Sequence, residues 1–453
     1  MKIFILILFI LTYVGIIAMP KFKPHITGVA ALIASVACAI SGHMLWHSAV
    51  TEAINYNVVM MLVGIMITVG LFSESNMPNK LADAIITKIP NAMWILVILS
   101  VLSGVISAFV DNVATVLMLA PIGLAVAKKT NVNPIPVLIS IAVSSNLQGA
   151  ATLVGDTTSV MLGGELGMGF MDFFFMDGKL SIFWAVEFGM LLTIPVLIFI
   201  FRKNNTKFKI ESEDIKVSTM FPTWMLILNI ATLVVISFVT LPEGFISENI
   251  NGLVCLIFGI ICIVYHLIWN KKKVVETVNE DGSVSTSYVG GVKDSWKTIF
   301  GTIDYTTVLF LVFLFVLICA VDSVGIIADI ANFFGWVGSE GSIFLLYTLI
   351  VFGSVLISAF IDNIPYVATM LPVIGALGYE GNVFTLLCFG LLCGATLGGN
   401  ITPVGASANV VAIGMLNKEG YNVKSSDFFK IGIPFTLVAV LGGYALIYLV
   451  WGL

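Results

Sequence analysis

SAFVDNVATVLMLAP, running from Ser107 to Pro121, is apolar apart from Asp111 and Asn112 at its centre. The same wording returns as SAFIDNIPYVATMLP, Ser358 to Pro372, at an offset of 251 (358 − 107) that carries Asp111 onto Asp362 and Asn112 onto Asn363. A carboxylate in the middle of a helix in lipid costs about 2.5–3.5 kcal/mol on insertion scales. A chain that bears this cost twice, in nearly the same words, is expected to build one site from two halves.

Composition makes lipid the right reference. Of 453 residues, 59% are hydrophobic and 10% charged, with a mean hydropathy of +1.07. Apolar runs of about 17–22 residues recur from end to end, which predicts an all-α polytopic membrane protein. An outer-membrane barrel would alternate apolar and polar residues in short segments instead. The net charge of −5 and the lack of a basic cluster argue against a nucleic-acid partner. Cys38, Cys255, Cys262, Cys319, Cys388 and Cys393 lie in apolar runs without metal-ligand spacing and read as packing residues. His25, His43, His47 and His266 sit at span ends and read as interfacial. No nucleophile-plus-base set appears, so neither an enzyme nor a resident cofactor is expected.

Taken in order, spans fall near 3–19, 26–46 and 55–72. The first resembles a signal peptide behind Lys2, but an equivalent run at 222–241 opens the second half, so it is counted as a span. Residues 92–127 hold the first motif. The arm after Asn112 measures about 15 residues, roughly 22 Å, short for a crossing. Lys88 precedes the segment and Lys128 and Lys129 follow it, so it reads as a re-entrant hairpin with Asp111–Asn112 at its tip. The next run, 135–164, is interrupted by NLQGAATLVGDTTS, Asn146 to Ser159. Irregular backbone of this kind is tolerated at membrane depth only where protein buries it or a cavity adjoins it. An amphipathic stretch at 165–180, with Phe173–Met176 read as lipid contact, and a span near 181–201 complete the half.

The second half repeats the plan with spans near 222–241, 251–269 and 303–321 and a polar insert at 270–300. A hairpin near 343–378 carries Asp362–Asn363, a second break lies in GGNITPVGASAN from Gly398 to Asn409, and a last span covers 428–451. Asp304 and Asp322, at span ends, read as interfacial. Counted as about ten spans plus two hairpins, every Lys/Arg-rich loop falls on one side. The loops near 47–54, 242–250, 322–342 and 379–383 have no Lys or Arg and fall on the other. By the positive-inside rule both termini are then outside, and the halves are inverted repeats about an in-plane axis.

Two hairpin tips and two helix breaks converge near the midplane in such a layout. The candidate ion- or substrate-binding residues are therefore Asp111, Asn112, Asn146, Gly149, Thr152, Asp156 and Thr157 from the first half. Asp362, Asn363, Asn400, Thr402, Ser407 and Asn409 are those from the second. Hard oxygen donors without Cys or His clusters suit an alkali cation, and Asp111, Asn112, Asp156, Asp362 and Asn363 are the candidates for Na⁺. Each has a structural alternative: the aspartates as N-caps of the half-helices behind them, the asparagines as hydrogen-bonded ties. Thr152, Thr402, Ser407 and Asn409 are expected to line the site, the glycines at 149, 155, 399 and 405 to permit unwound backbone.

DNVATVLMLAPI followed by GAATLVGDTTSVML, then DNIPYVATMLP and LGGNITPVGASANVVA, resembles the ion transporter superfamily over essentially the whole chain. The likeness is strongest to its arsenite-permease, NhaD-type sodium/proton antiporter and P-protein branch, relatives of the divalent-anion/sodium symporters and citrate transporters. The symporters carry Ser-Asn-Thr at both tips, where this chain has Asp111-Asn112-Val113 and Asp362-Asn363-Ile364. The resemblance implies a homodimer with elevator-type alternating access. In it, 1–91 and 217–342 form a scaffold, and 92–216 and 343–453 form the two halves of a transport domain.

The resulting expectation is a secondary active ion transporter of a prokaryotic inner membrane, with Na⁺ as coupling ion and a proton on Asp111, Asp156 or Asp362. Cation/proton antiport is the first reading, and Na⁺-coupled uptake of a small di- or tricarboxylate the second. A channel would instead keep a continuous polar pore.

Overall fold

The computed structural model describes residues 1–44, 53–209, 215–239, 242, 244–269, 273–278, 284–289, 292–340 and 342–453. Most of the expected loop 47–54, and Lys271 and Lys272 of the polar insert, lie outside the described residues. Among those described, twenty α-helices account for nearly all regular structure, and eight of them are long and apolar enough to cross a membrane.

The first half runs α1 (Lys2–Ala18), α2 (Lys23–Ile40), α3 (Tyr56–Glu74), the short α4 (Met77–Ile86), α5 (Ala92–Ser107), α6 (Asn112–Lys129), α7 (Pro134–Gly149), α8 (Thr157–Leu166) and α9 (Ile182–Phe201). The second runs α10 (Phe221–Ile236), α11 (Phe245–Glu248), α12 (Ile250–Trp269), α13 (Val292–Thr302), α14 (Tyr305–Ser323), α15 (Ile326–Glu340), α16 (Ile343–Ser358), α17 (Asn363–Gly375), α18 (Gly381–Gly398), α19 (Ser407–Lys418) and α20 (Ser425–Ile447). The helix pairs α5–α6 and α16–α17 turn at the two Asp-Asn motifs, and α7–α8 and α18–α19 are interrupted at the two expected breaks.

Several details differ. α6 has 18 residues, roughly 27 Å, so its length alone does not mark it as a hairpin arm. The loop expected at 322–342 holds α15, whose Ile326, Ile327 and Ala331 form one buried face. Two antiparallel ribbons interrupt the all-α plan. β1 (Phe175–Met176) pairs with β2 (Lys179–Leu180), and β3 (Lys273–Val278) with β4 (Val284–Val289). The stretch 165–180 is therefore not one amphipathic element. A 3₁₀ turn at Met171–Phe173 swings Phe173 inward, fully buried near Gly163, so that ring is not lipid contact, while Phe175 stays exposed.

Helices in lipid gain nothing from hiding apolar surface from one another, so close backbone approach and dispersion hold them together. Small residues provide it. A Cβ on Gly64 of α3 would lie 2.2 Å from the Cys255 backbone of α12, and Gly259 of α12 packs back on Gly64. On α18, Gly390, Gly394 and Gly398 stand one turn apart and seat that helix against α16. A Cβ on Gly394 would lie 2.3 Å from the Val351 carbonyl.

Candidate functional site

A cavity of about 400 Å³ collects side chains from both hairpin tips, both breaks and the α3 and α13–α14 walls. Asp111, Asn112, Asp156, Thr157, Asp362, Asn363 and Ser407, all expected at the site, line it. Each tip is built the same way. Asp111 ends the α5–α6 turn with φ −46° and its Oδ2 accepts from the Val113 and Ala114 amides at 3.0 and 3.1 Å. Asp362 has φ −48° and accepts from the Ile364 amide at 3.3 Å. Both carboxylates thus cap a half-helix, where the dipole favours negative charge.

Asp156 is the buried member of the set. One oxygen accepts from the Thr157 amide at 2.7 Å, and the other from the Thr158 hydroxyl and the Asn363 amide group, both at 3.1 Å. The Asn363 bond joins a break of the first half to a tip of the second. Its equivalent, Asn112, donates to Asn146 at 2.9 Å, and Asn146 in turn donates to the Thr396 carbonyl at 2.8 Å and to Asn400 at 3.1 Å.

Six expected site residues do not line the cavity. Asn146 and Asn400 are spent on one another and on backbone, Asn400 donating to the Val143 carbonyl at 2.9 Å. Thr152 donates to the Ala108 carbonyl and Thr402 to the Ala359 carbonyl, each tying a break to the neighbouring tip. Asn409 donates to the Gly399 and Thr402 carbonyls at 2.9 and 3.0 Å, as Ser159 does to Gly149 at 3.1 Å in the first half. Gly149 packs its bare α-carbon against Asp156, where a Cβ would lie 2.9 Å from that residue's Cβ. Thr152, Thr402 and Asn409 were expected to line the site. Unwound backbone frees carbonyls, and in a dry interior those take the nearest donors first.

Asp304, whose place at a span end suggests an interfacial role, lines the cavity with Thr307. It caps α14, accepting from the Thr307 amide at 3.1 Å and its hydroxyl at 2.5 Å. The signal was present in the repeat. Asn55 caps α3 at the corresponding place, accepting from the Val58 amide at 3.1 Å, and the second half puts a charge there.

The cavity therefore holds four carboxylates. Asp156 lies within electrostatic reach of Asp111 and Asp362, and Asp111 within reach of Asp304. Among the described residues, the ion pair formed by this set joins Asp362 to Lys23 at 3.5 Å. The carboxylates are spread around the walls, and no three His, Cys, Asp or Glu groups among the described residues gather as a metal chelate. Opposite them, α19 starts at the cavity after Ala406 with no side-chain cap, leaving its first amides open beside Ser407.

Known proteins agree with this architecture. The P protein of Homo sapiens is 26% identical over 95% of this chain, which spans 58% of that relative's length. An uncharacterized transporter of Mycobacterium bovis is 29% identical over 93% of this chain and 91% of its own. The Alcanivorax borkumensis YdaH transporter superposes with a TM-score of 0.56 at 14% identity, covering 91% of this chain and 87% of the other. Neisseria gonorrhoeae MtrF, described with a class of antimetabolite efflux pumps, gives 0.55 at 14% identity over 93% and 85%. The profile of the citrate transporter family, CitMHS, matches residues 6–388. The chain is a membrane transporter belonging to that family, within the superfamily that its repeated motifs resemble.

Proposed function

We propose that this chain is a cation-coupled secondary active transporter with alternating access, exchanging Na⁺ and H⁺ as an antiporter does. One observation carries the reading: four carboxylates face one cavity and, among the described residues, only the Lys23 ammonium forms an ion pair with them. Uncompensated carboxylates in low dielectric are costly and draw either protons or metal cations. Asp111 and Asp156, with the carbonyl oxygen of Asn112 and the Thr157 hydroxyl, form an all-oxygen environment suited to Na⁺. A proton on the same oxygens excludes the metal ion, and that exclusion is sufficient for exchange. The asparagine ties hold the two breaks in register while the occupant changes.

The duplicated tips and breaks support inverted repeats. They also support a division into scaffold helices (1–91, 217–342) and a transport unit (92–216, 343–453) that moves as an elevator, in a homodimer. Na⁺-coupled uptake of a small carboxylate is the second reading. The family's citrate transporters favour it, as do the uncapped α19 amides beside Ser407, which suit an anion.

Proteoliposomes with imposed Na⁺ and pH gradients, tested with and without a carboxylate panel that includes citrate, discriminate the two. Na⁺-driven proton movement without added anion is the expected result. Proton movement that needs an added carboxylate gives the second reading the lead. Na⁺ affinity should also fall as pH drops across about 5 to 9, the range open to a buried Asp. A flat profile would remove the proton from these sites.

A further inference from the structure

The two tip aspartates are copies of each other in sequence and cap geometry, yet their surroundings differ in charge. Lys23, the first residue of α2, brings its Nζ to 3.5 Å from Asp362 Oδ2, with both side chains largely buried. The ammonium also lies over the face of Phe310 of α14, 5.2 Å from the ring centre. An aromatic face strengthens a desolvated cation's hold on its place. The approach is built in. Tyr13 of α1 donates to the Pro365 carbonyl at 2.7 Å and bonds the Thr369 hydroxyl, so the first turn of α17 is held beside α1–α2. The corresponding helix of the other half, α12, opens with Asn249, Ile250 and Asn251, and residues 242–250 contain no Lys or Arg. Among the described residues, Asp111 accordingly accepts from backbone amides and forms no ion pair.

We infer that Lys23 is the tethered counter-cation of Asp362, so that of the duplicated pair only Asp111 takes a cation from solution. Lys23 thereby fixes the coupling count, filling with a side chain a place that a strictly symmetric carrier would fill with a mobile ion. The charged groups facing this pair are carboxylates of the same cavity: Asp156, within electrostatic reach of Asp362, and Asp304 and Asp111 on the shared walls. The inference deepens the cation-coupled reading and rests on it, and its test separates the two.

The full-length protein is prepared as wild type, Lys23→Met, Asp362→Asn, the double variant and Lys23→Arg. Thermal unfolding and binding of radioactive Na⁺ are measured on each. Both single neutral variants should unfold at lower temperature, and the double variant should recover most of that loss. Lys23→Met should raise Na⁺ affinity at least tenfold or add a second bound Na⁺, and Asp362→Asn in the same chain should cancel the gain. Lys23→Arg should bind as wild type does. Additive unfolding losses, or Na⁺ binding by Lys23→Met equal to wild type while wild type binds, would overturn the inference. Recovery in the double variant with no Na⁺ bound by any protein would sink the sodium reading yet support the ammonium as the counter-ion of Asp362. If Lys23→Met does not fold, Lys23→Gln takes its place, and folding restored by adding Asp362→Asn counts in favour.

Discussion

Asn146 and Asn400 cross from one broken helix to the other, the Asn146 amide group donating to the Asn400 side-chain oxygen at 3.1 Å. Each also bonds the partner helix's backbone: Asn146 reaches the Thr396 carbonyl and Asn400 the Val143 carbonyl. The tie makes the two halves one unit at the depth of the cavity. Removing either side chain leaves buried groups of the other unpaired, a penalty of about 1–3 kcal/mol. Asn146→Ala and Asn400→Ala should each lower the unfolding temperature, and the double variant should lose clearly less than the sum of the two. Strict additivity, read by thermal unfolding in detergent, would mean that the tie contributes nothing of its own.

Replacing Asp111 with asparagine separates cap from carrier. Asn keeps a side-chain oxygen for the Val113 and Ala114 amides, so stability should change by only a few tenths of a kcal/mol. Coupled transport in vesicles should nevertheless be abolished, because the charge is gone. Wild-type transport by Asp111→Asn would reduce this carboxylate to a cap.

Asp362→Asn should cost more stability than Asp111→Asn, since Lys23 then stays largely buried without its partner. Equal losses in the two variants, measured side by side, would contradict that difference.

Asp304 serves as a check on the cavity's extent. Asp304→Asn retains the cap on Thr307 and removes one of four charges, so Na⁺ affinity should fall several-fold with folding intact. A longer-range role in lipid contact alone would leave the affinity unmoved.

The orientation can be tested at described positions. Cysteines introduced at Glu248 and Glu380 should react with an impermeant reagent from outside, and those at Asn204 and Lys418 should not. Outside labelling at Asn204 would reverse the assignment of sides.

Much of this was legible because lipid makes polar residues conspicuous. Asp111, Asp156 and Asp362 stood out against apolar runs, and the repeated wording said that the two tips belong together. The direction of short side chains was not legible. Thr152 and Ser407 are both hydroxyls in a break, but the first spends its hydroxyl on the Ala108 carbonyl and the second faces the cavity. Asp304 was hidden by ordinariness, since an acidic cap at a helix start looks the same at any interface. The Lys23–Asp362 contact spans 339 positions, and no local pattern announces it. Phe173 misled because hydrophobicity does not distinguish a ring facing lipid from one turned inward by a 3₁₀ turn.

Gly155 and Gly405 set a lower limit on the size of any moving part. A Cβ on Gly155 would lie 2.6 Å from the Gly149 carbonyl oxygen and 3.0 Å from that of Ala108, and one on Gly405 2.7 Å from Gly399 and 2.8 Å from Ala359. Backbone therefore rests directly on backbone where each tip meets its break, and Thr152 and Thr402 fasten the same two joints. A tip cannot peel back like a flap without shearing its joint. If the chain moves as the elevator proposed above, tip and break travel together as one piece.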